Sequence, residues 1–317
     1  MKTRISIDDY LDRIGDLHSS PEVALRAVKI LQDEDFDVSE VSLCLQSDPA
    51  LSESILRLVN SSYYGLTKQV ASLDQAIALL GVRTLRLTVL SFGILDSMSR
   101  GTPRELYRAF WKRAITIASA SSILAESSSE VPRESAFTGG LLSDLGVLLM
   151  AQSAKSEYPD LHNSHEHGTD LEHAEYERFG FTHADFGARL LQRWNLPDEL
   201  VQAVANHHDG VSDQPLSNVV YVANALSDIL WTPFSGKLPH TQELLRDHFE
   251  IDLDGFIDLV MSCKEKVDAT AQLFQVDTSS SDMDTDTLLS RARELYVRSA
   301  VEATIELDGL MDLANGF

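Results

Sequence analysis

The sequence predicts an all-α protein, a multi-helix bundle with a C-terminal extension helix. Apolar residues recur at helical spacing through nearly every segment, and no strand-type alternation persists. Helix-opening signatures repeatedly precede these apolar stripes. With 317 residues and 44% hydrophobic content, the chain can bury the cores of two or three compact units.

The elements follow in order. "SSPEVALRAVKILQ" sets Ser20 and Pro21 before Val23, Ala24, Ala27, Val28 and Leu31 at helical spacing. "SDPALSESILRLVNSSYYG" repeats the pattern, with Asp48 as cap, Pro49 in the first turn, and Leu51, Ile55, Leu58 and Val59 as the buried stripe, the segment ending at Gly65. In "ASLDQAIALLGVRTLRLTVLSFGIL", Ser72 and Gln75 are spaced as a capping box and Gly81 breaks two short apolar helices. A long helix then surrounds "LYRAFWKRAITIASASSIL", followed by a helical run from Phe137 to Met150, a second capping box at Thr182 and Asp185, and a helix opened by Pro197. "VDTSSSDMDTD" is small, polar and acidic and reads as a solvated linker. Beyond it Leu289, Ala292, Tyr296, Ala300, Ala303, Leu307 and Leu310 form a narrow seam, suited to self-association or to packing on the domain. The chain therefore divides into helical subdomains at 1–100 and 101–232, a helical extension at 233–275, an acidic linker at 276–286 and a signalling or packing helix at 287–317.

Forty-nine acidic against 26 basic residues give a formal charge of −23, which disfavours nucleic acid and anionic membrane surfaces as partners. Cys44 and Cys263 lie far apart in apolar helical patterns and form neither a metal clip nor a disulfide framework. The N-terminus lacks a secretory apolar core and no run of about eighteen apolar residues occurs, so a cytoplasmic location is expected. There is no GxSxG elbow, phosphate-cradling GxxxxGK[ST] loop or GxGxxG turn.

One acid asks for an explanation. Asp144 stands in the middle of "FTGGLLSDLGVLLM", and a carboxylate buried in such a run costs several kcal/mol unless it is paired or bound to metal.

The ordered segments "LHSSPEVALRAVKIL", "LCLQSDPALSESILRLVNSSYYG", "SLDQAIALLGVRTLRLTVL", "FWKRAITIASASSILA", "AFTGGLLSDLGVLLM", "FTHADFGARLLQRWNLPDELVQAVANHHD" and "VVYVANAL" resemble the HDOD domain over roughly Ile7 to Leu230. That resemblance implies a helical bacterial signalling module related to the HD superfamily of metal-dependent phosphohydrolases. Catalytic HD proteins hold divalent metals on a His, a His-Asp pair and a later Asp. At the matching positions this chain carries Arg113, Ser143, Asp144 and Asn224, so the resemblance implies a degenerate site with no metal and no catalytic residue. Arg113 is expected to replace the metal electrostatically and to pair with Asp144. His183 and the His207–His208 pair match histidines of the HD-GYP relatives. With Asp144 and Asp209 they would compose a non-standard metal site; the alternative has His183 near a helix cap bonding backbone and the pair ending the next helix, where a cation is welcome.

Three further features complete the expectation. His162, His165, His167 and His173 alternate with acids and read as a polar surface loop and helix start. Asn60, Tyr63 and Tyr64 offer either a docking surface or a helix end with junction-filling aromatics. "ELDGLMDLANGF", with Asp308, Leu310, Leu313 and Asn315, resembles the element opening GGDEF diguanylate cyclase domains, which implies a link to cyclic di-GMP signalling. The expectation is a non-enzymatic HDOD regulatory protein acting through a signalling partner or small ligand, with a homodimer through the C-terminal helix as one arrangement. The alternatives are a divergent metal-dependent phosphohydrolase using Asp144, His183, His207 and His208, and a dimeric scaffold.

Overall fold

The computed structural model describes residues 6–15, 22–31, 33, 35–60, 66, 68–99, 102–128, 130–274, 276 and 283–298. Among the described residues every regular element is helical: α1 (Ile7–Gly15), α2 (Glu22–Ile30), α3 (Val38–Gln46), α4 (Pro49–Val59), α5 (Leu73–Ser99), α6 (Arg104–Leu124), α7 (Arg133–Leu142), α8 (Leu145–Ser153), α9 (Tyr158–Ser164), α10 (Thr169–Phe179), α11 (His183–Arg193), α12 (Asp198–Ala205), α13 (Pro215–Trp231), α14 (Leu238–Phe249), α15 (Leu253–Phe274) and α16 (285–298).

Helices α2 to α5 pack on one another as an N-terminal bundle. Asp48 caps α4 by accepting from the Leu51 amide, and Leu51, Ile55, Leu58 and Val59 are its buried stripe. The helix ends at Asn60, before the expected stop at Gly65, because the Asn60 side chain takes over the chain's turn: Nδ2 donates to the Leu56 and Val70 carbonyls and Oδ1 accepts from the Val70 amide. At α5 the Gln75 amide donates to Ser72 Oγ, while Gln75 Oε1 accepts from the Ala71 amide, a capping box displaced by one residue. Gly81 adopts φ 71°, a conformation open to glycine, and the two arms of α5 turn there by 112°. Among the described residues no single helix is long and apolar enough to cross a membrane.

The second bundle is organised around α6, buried on almost every side and packed against α7, α13 and α15. The extension at 233–275 thus covers α6 rather than standing apart. Helix α1 docks here too: Tyr10 meets Phe179, Phe181 and Phe186 edge-on, and Asp8 accepts from Arg189.

Two expectations change. The run from Phe137 to Met150 is two helices, broken at Ser143 and Asp144. The acidic segment is not solvated throughout, since Met283 and Thr285 are buried and the Met283 carbonyl accepts from Lys264. Leu288, Leu289 and Ala292 are buried within the chain, whereas Tyr296 is exposed. Ala300, Ala303, Leu307 and Leu310 of the seam lie outside the described residues, as do Ser20, Pro21 and Gly65.

Candidate functional site

Six segments converge on one point inside the second bundle. Helix α6 supplies Arg113, the α7–α8 break supplies Ser143 and Asp144, α10 supplies Glu175, α11 opens with His183, His207 and His208 follow the end of α12, and α13 supplies Asn224 and Asp228. The break matters because a continuous helix would point Asp144 along its own stripe; as the N-cap residue of α8 the carboxylate instead enters the bundle interior. Gly146 lets α8 approach α11 closely: a Cβ there would stand 1.8 Å from the His183 carbonyl oxygen. The capping box of Thr182 and Asp185 fixes where α11 begins, and hence where His183 stands.

Arg113 closes one side of the centre. Its Nε donates to Asp144 Oδ2 at 3.0 Å, Nη1 to Asp228 Oδ1 at 2.5 Å, and Nη2 to Asn224 Oδ1. Asp228 also accepts from Lys237 Nζ at 2.7 Å. Burial works against the charge on Arg113, but the carboxylates of Asp144 and Asp228 outweigh it and hold the guanidinium above its usual range. Burial likewise opposes ionisation of Asp144; Arg113 and the imidazoles of His207 and His183 overcome it and keep the carboxyl well below the usual range.

The other side is lined by imidazoles. Asp144 is 1% exposed, and its Oδ1 has no hydrogen-bond partner. That oxygen lies 3.3 Å from His207 Nε2 and 3.7 Å from His183 Nε2. His183 Nε2 is in turn 3.3 Å from His207 Nε2 and 3.2 Å from His208 Nε2. The ligand atoms of Asp144, His183, His207 and His208 all lie within 4.8 Å of one another. Behind them, His183 Nδ1 meets Glu175 Oε2 at 2.8 Å and His207 Nδ1 meets the Val204 carbonyl at 2.7 Å. Glu175 is wholly buried and is also anchored by the Tyr158 hydroxyl at 2.6 Å. Burial opposes a charge on His183, but Glu175 outweighs it and raises the imidazole to about 9. His208 is driven the other way, well below the usual histidine range, by burial and then by the two neighbouring rings.

The expected contact between Arg113 and Asp144 is present, and Asn224 joins it. Ser143 is no ligand: its buried hydroxyl donates to the Gly140 carbonyl at 2.9 Å. Asp209 is exposed and outside the cluster. The His183 ring does not bond backbone but the Glu175 carboxylate, while the His207–His208 pair follows the end of α12, with His207 Nδ1 on the Val204 carbonyl. Nor do the four upstream histidines all form a surface loop: His162 is buried, its ring 4.7 Å from that of His167, while His173 is exposed. The Asn60 side chain is spent on its own turn, and Tyr63 and Tyr64 lie outside the described residues, as do Asp308, Leu310, Leu313 and Asn315.

Glu175, Asp228 and Lys237 are absent from the sequence-based site. Asp228 carried a readable signal, standing one helical turn beyond Asn224 on the same face of α13. Glu175 carried none, since a Glu among the acids of "DLEHAEYERF" looks solvated until the tertiary structure buries it.

Residues 17–210 match the HDOD domain family. An uncharacterized protein of Treponema pallidum (strain Nichols) is 26% identical over 246 residues, which is 73% of this chain and 45% of that protein, so the chain spans less than half of that relative. An HDOD domain protein of unknown function from Geobacter sulfurreducens superposes with a TM-score of 0.64 at 21% identity, covering 84% of this chain and 97% of its own. A candidate phosphohydrolase from Shewanella amazonensis SB2B superposes at 0.58 with 22% identity, covering 88% and 97%. Both structural likenesses speak to the fold.

Proposed function

This chain belongs to the HDOD domain family, and from that premise we propose that it is a regulatory signalling module working by binding a protein partner or small ligand rather than by hydrolysis. The observation that carries this reading is the Arg113 guanidinium, which donates to Asp144, Asn224 and Asp228 together. A guanidinium keeps its charge at any working pH, so a fixed cation occupies one side of the centre and consumes Oδ2 of Asp144. A two-ion clamp around a phosphodiester would need a second cation beside the first, and the Arg113 guanidinium already stands on that side of Asp144. Here one oxygen of Asp144 serves Arg113, and the other faces the His207 and His183 imidazoles without a hydrogen bond.

The imidazole side fits a single divalent transition metal, because an unpartnered buried carboxylate oxygen and two backed imidazoles converge there. Asp144, His183 and His207 would hold the ion, which when bound supplies Lewis acidity and a place for an exogenous ligand. Glu175 and the Val204 carbonyl orient the two rings, and Arg113 keeps Asp144 ionised. The tail's likeness to the GGDEF-opening element supports a place in cyclic di-GMP signalling, with the bundle transmitting occupancy to neighbouring segments.

The rival phosphohydrolase reading draws on the clustering of Asp144, His183, His207 and His208. Turnover of bis(p-nitrophenyl) phosphate and of a cyclic dinucleotide, measured with manganese, iron(II) or zinc, separates the two. The expected result is no hydrolysis above that of an Asp144→Asn variant. Hydrolysis that vanishes in the variant overturns the regulatory reading.

A further inference from the structure

Asn224 is held in one orientation by partners of fixed polarity. Its Oδ1 accepts from Arg113, which has only donors to offer, and its Nδ2 donates to the His207 carbonyl at 3.2 Å, which can only accept. The same Nδ2 lies 2.8 Å from His208 Nδ1. That ring nitrogen must therefore accept, and the proton of His208 sits on Nε2. The hydrogen positions follow from the bonding network rather than from any property of the isolated ring.

His183 and His207 are arranged the opposite way. The Nδ1 of His183 faces a carboxylate and that of His207 a backbone carbonyl, so both donate from Nδ1 and turn Nε2 toward the centre, where an incoming ion would displace the proton that Glu175 favours on His183. Asp144 Oδ1 adds a third ligand atom with no partner of its own. His208 is the exception, presenting an N–H at 3.2 Å from His183 Nε2.

We propose that Asp144, His183 and His207 bind one divalent transition-metal ion, and that Asn224 keeps His208 out of the ligand set by holding the tautomer whose N–H faces the centre. This deepens the half-closed centre proposed above and gives Asn224 a role distinct from a lost ligand. An Asp at 224 would accept from His208 Nδ1–H and release Nε2 as a fourth ligand. Asn reverses that polarity while keeping the bond to Arg113.

The test is a cobalt(II) titration of the chelator-stripped full chain, followed by visible absorption and by equilibrium dialysis, with circular dichroism to establish that each variant is folded. Wild type is expected to bind one ion per chain. Asp144→Asn and His183→Ala should each lose roughly 100-fold or more in affinity, whereas His208→Ala should stay within about 3-fold of wild type, a non-ligand falling below the roughly 10-fold to 100-fold cost of an outer-shell partner. Asn224→Asp should tighten binding about 10-fold to 100-fold and change the cobalt spectrum as a nitrogen ligand joins. No binding by wild type, or a loss in His208→Ala matching that in His183→Ala, overturns the proposal. If Asn224→Asp fails to fold, the comparison of His208→Ala with His183→Ala still decides. Metal binding together with phosphodiester turnover would sink the regulatory reading and leave the ligand assignment standing.

Discussion

Replacing Arg113 by Met removes three hydrogen bonds and a buried charge while keeping most of the side chain's length. Two carboxylates lose a partner, but unequally. Asp228 is 12% exposed and retains Lys237 at 2.7 Å, so water and a second cation cover part of its loss. Asp144 is 1% exposed and retains only the imidazoles, 3.3 and 3.7 Å from its other oxygen. Stripping one partner from a buried pair costs about 3–5 kcal/mol, a large share of the ~5–15 kcal/mol that holds a domain together. At roughly 2–4 °C per kcal/mol for a bundle of this size, the midpoint should fall by about 6–20 °C. Differential scanning calorimetry on wild type and Arg113→Met measures it directly. The double variant Arg113→Met with Asp144→Leu should regain much of the loss, because an apolar pair of similar volume carries no uncompensated charge. A drop of under about 2 °C in the single variant, or no recovery in the double, would refute the claim that this pair neutralises the centre.

Three other outcomes follow from the packing and burial. Gly146→Ala sets a methyl against the His183 carbonyl, so α8 and α11 must separate; the expected destabilisation is about 1–3 kcal/mol or more by urea unfolding, and an unchanged midpoint would mean that the helices do not touch there. Burial pushes the Cys263 thiol up to about 12, so in a Cys44→Ser background it should resist a disulfide reagent at pH 8 until the chain unfolds, and rapid labelling of the native protein would contradict the assigned burial. Burial also lowers His162, and lowers His167 further. The unfolded chain therefore takes up these protons first, so their contribution is intact above about pH 6.5 and stability declines as the pH falls below it. His162→Gln should flatten the decline in melting temperature between pH 7.5 and 5, and an unaltered slope would show that His162 stays protonatable in the fold.

Much of the fold could be read from local chemistry. Asp48 with Pro49, Thr182 with Asp185, and Gly81 act within a few residues of themselves, and each does in the structure what its type and spacing indicate. The buried stripe of α4 belongs to the same class, because helical spacing alone puts those four side chains on one face. The break between α7 and α8 escaped that reading: the run is apolar on both sides, and the close packing of α8 on α11 beyond it is a contact between segments far apart in the chain.

By itself the sequence determined an all-α bundle, its family, and the presence of Arg113, Ser143 and Asn224 where a metal-binding relative has other residues, with Asp144 retained. Tertiary structure alone decided what those residues do to one another. Arg113 meets Asn224 and Asp228 across 111 and 115 positions of chain, and Glu175 becomes a buried anchor for His183 only once α10 lies against it. Helical periodicity constrains neighbours three and four residues apart, whereas the polarity of a buried centre is set by which side chains the packed helices bring within about 3 Å of each other.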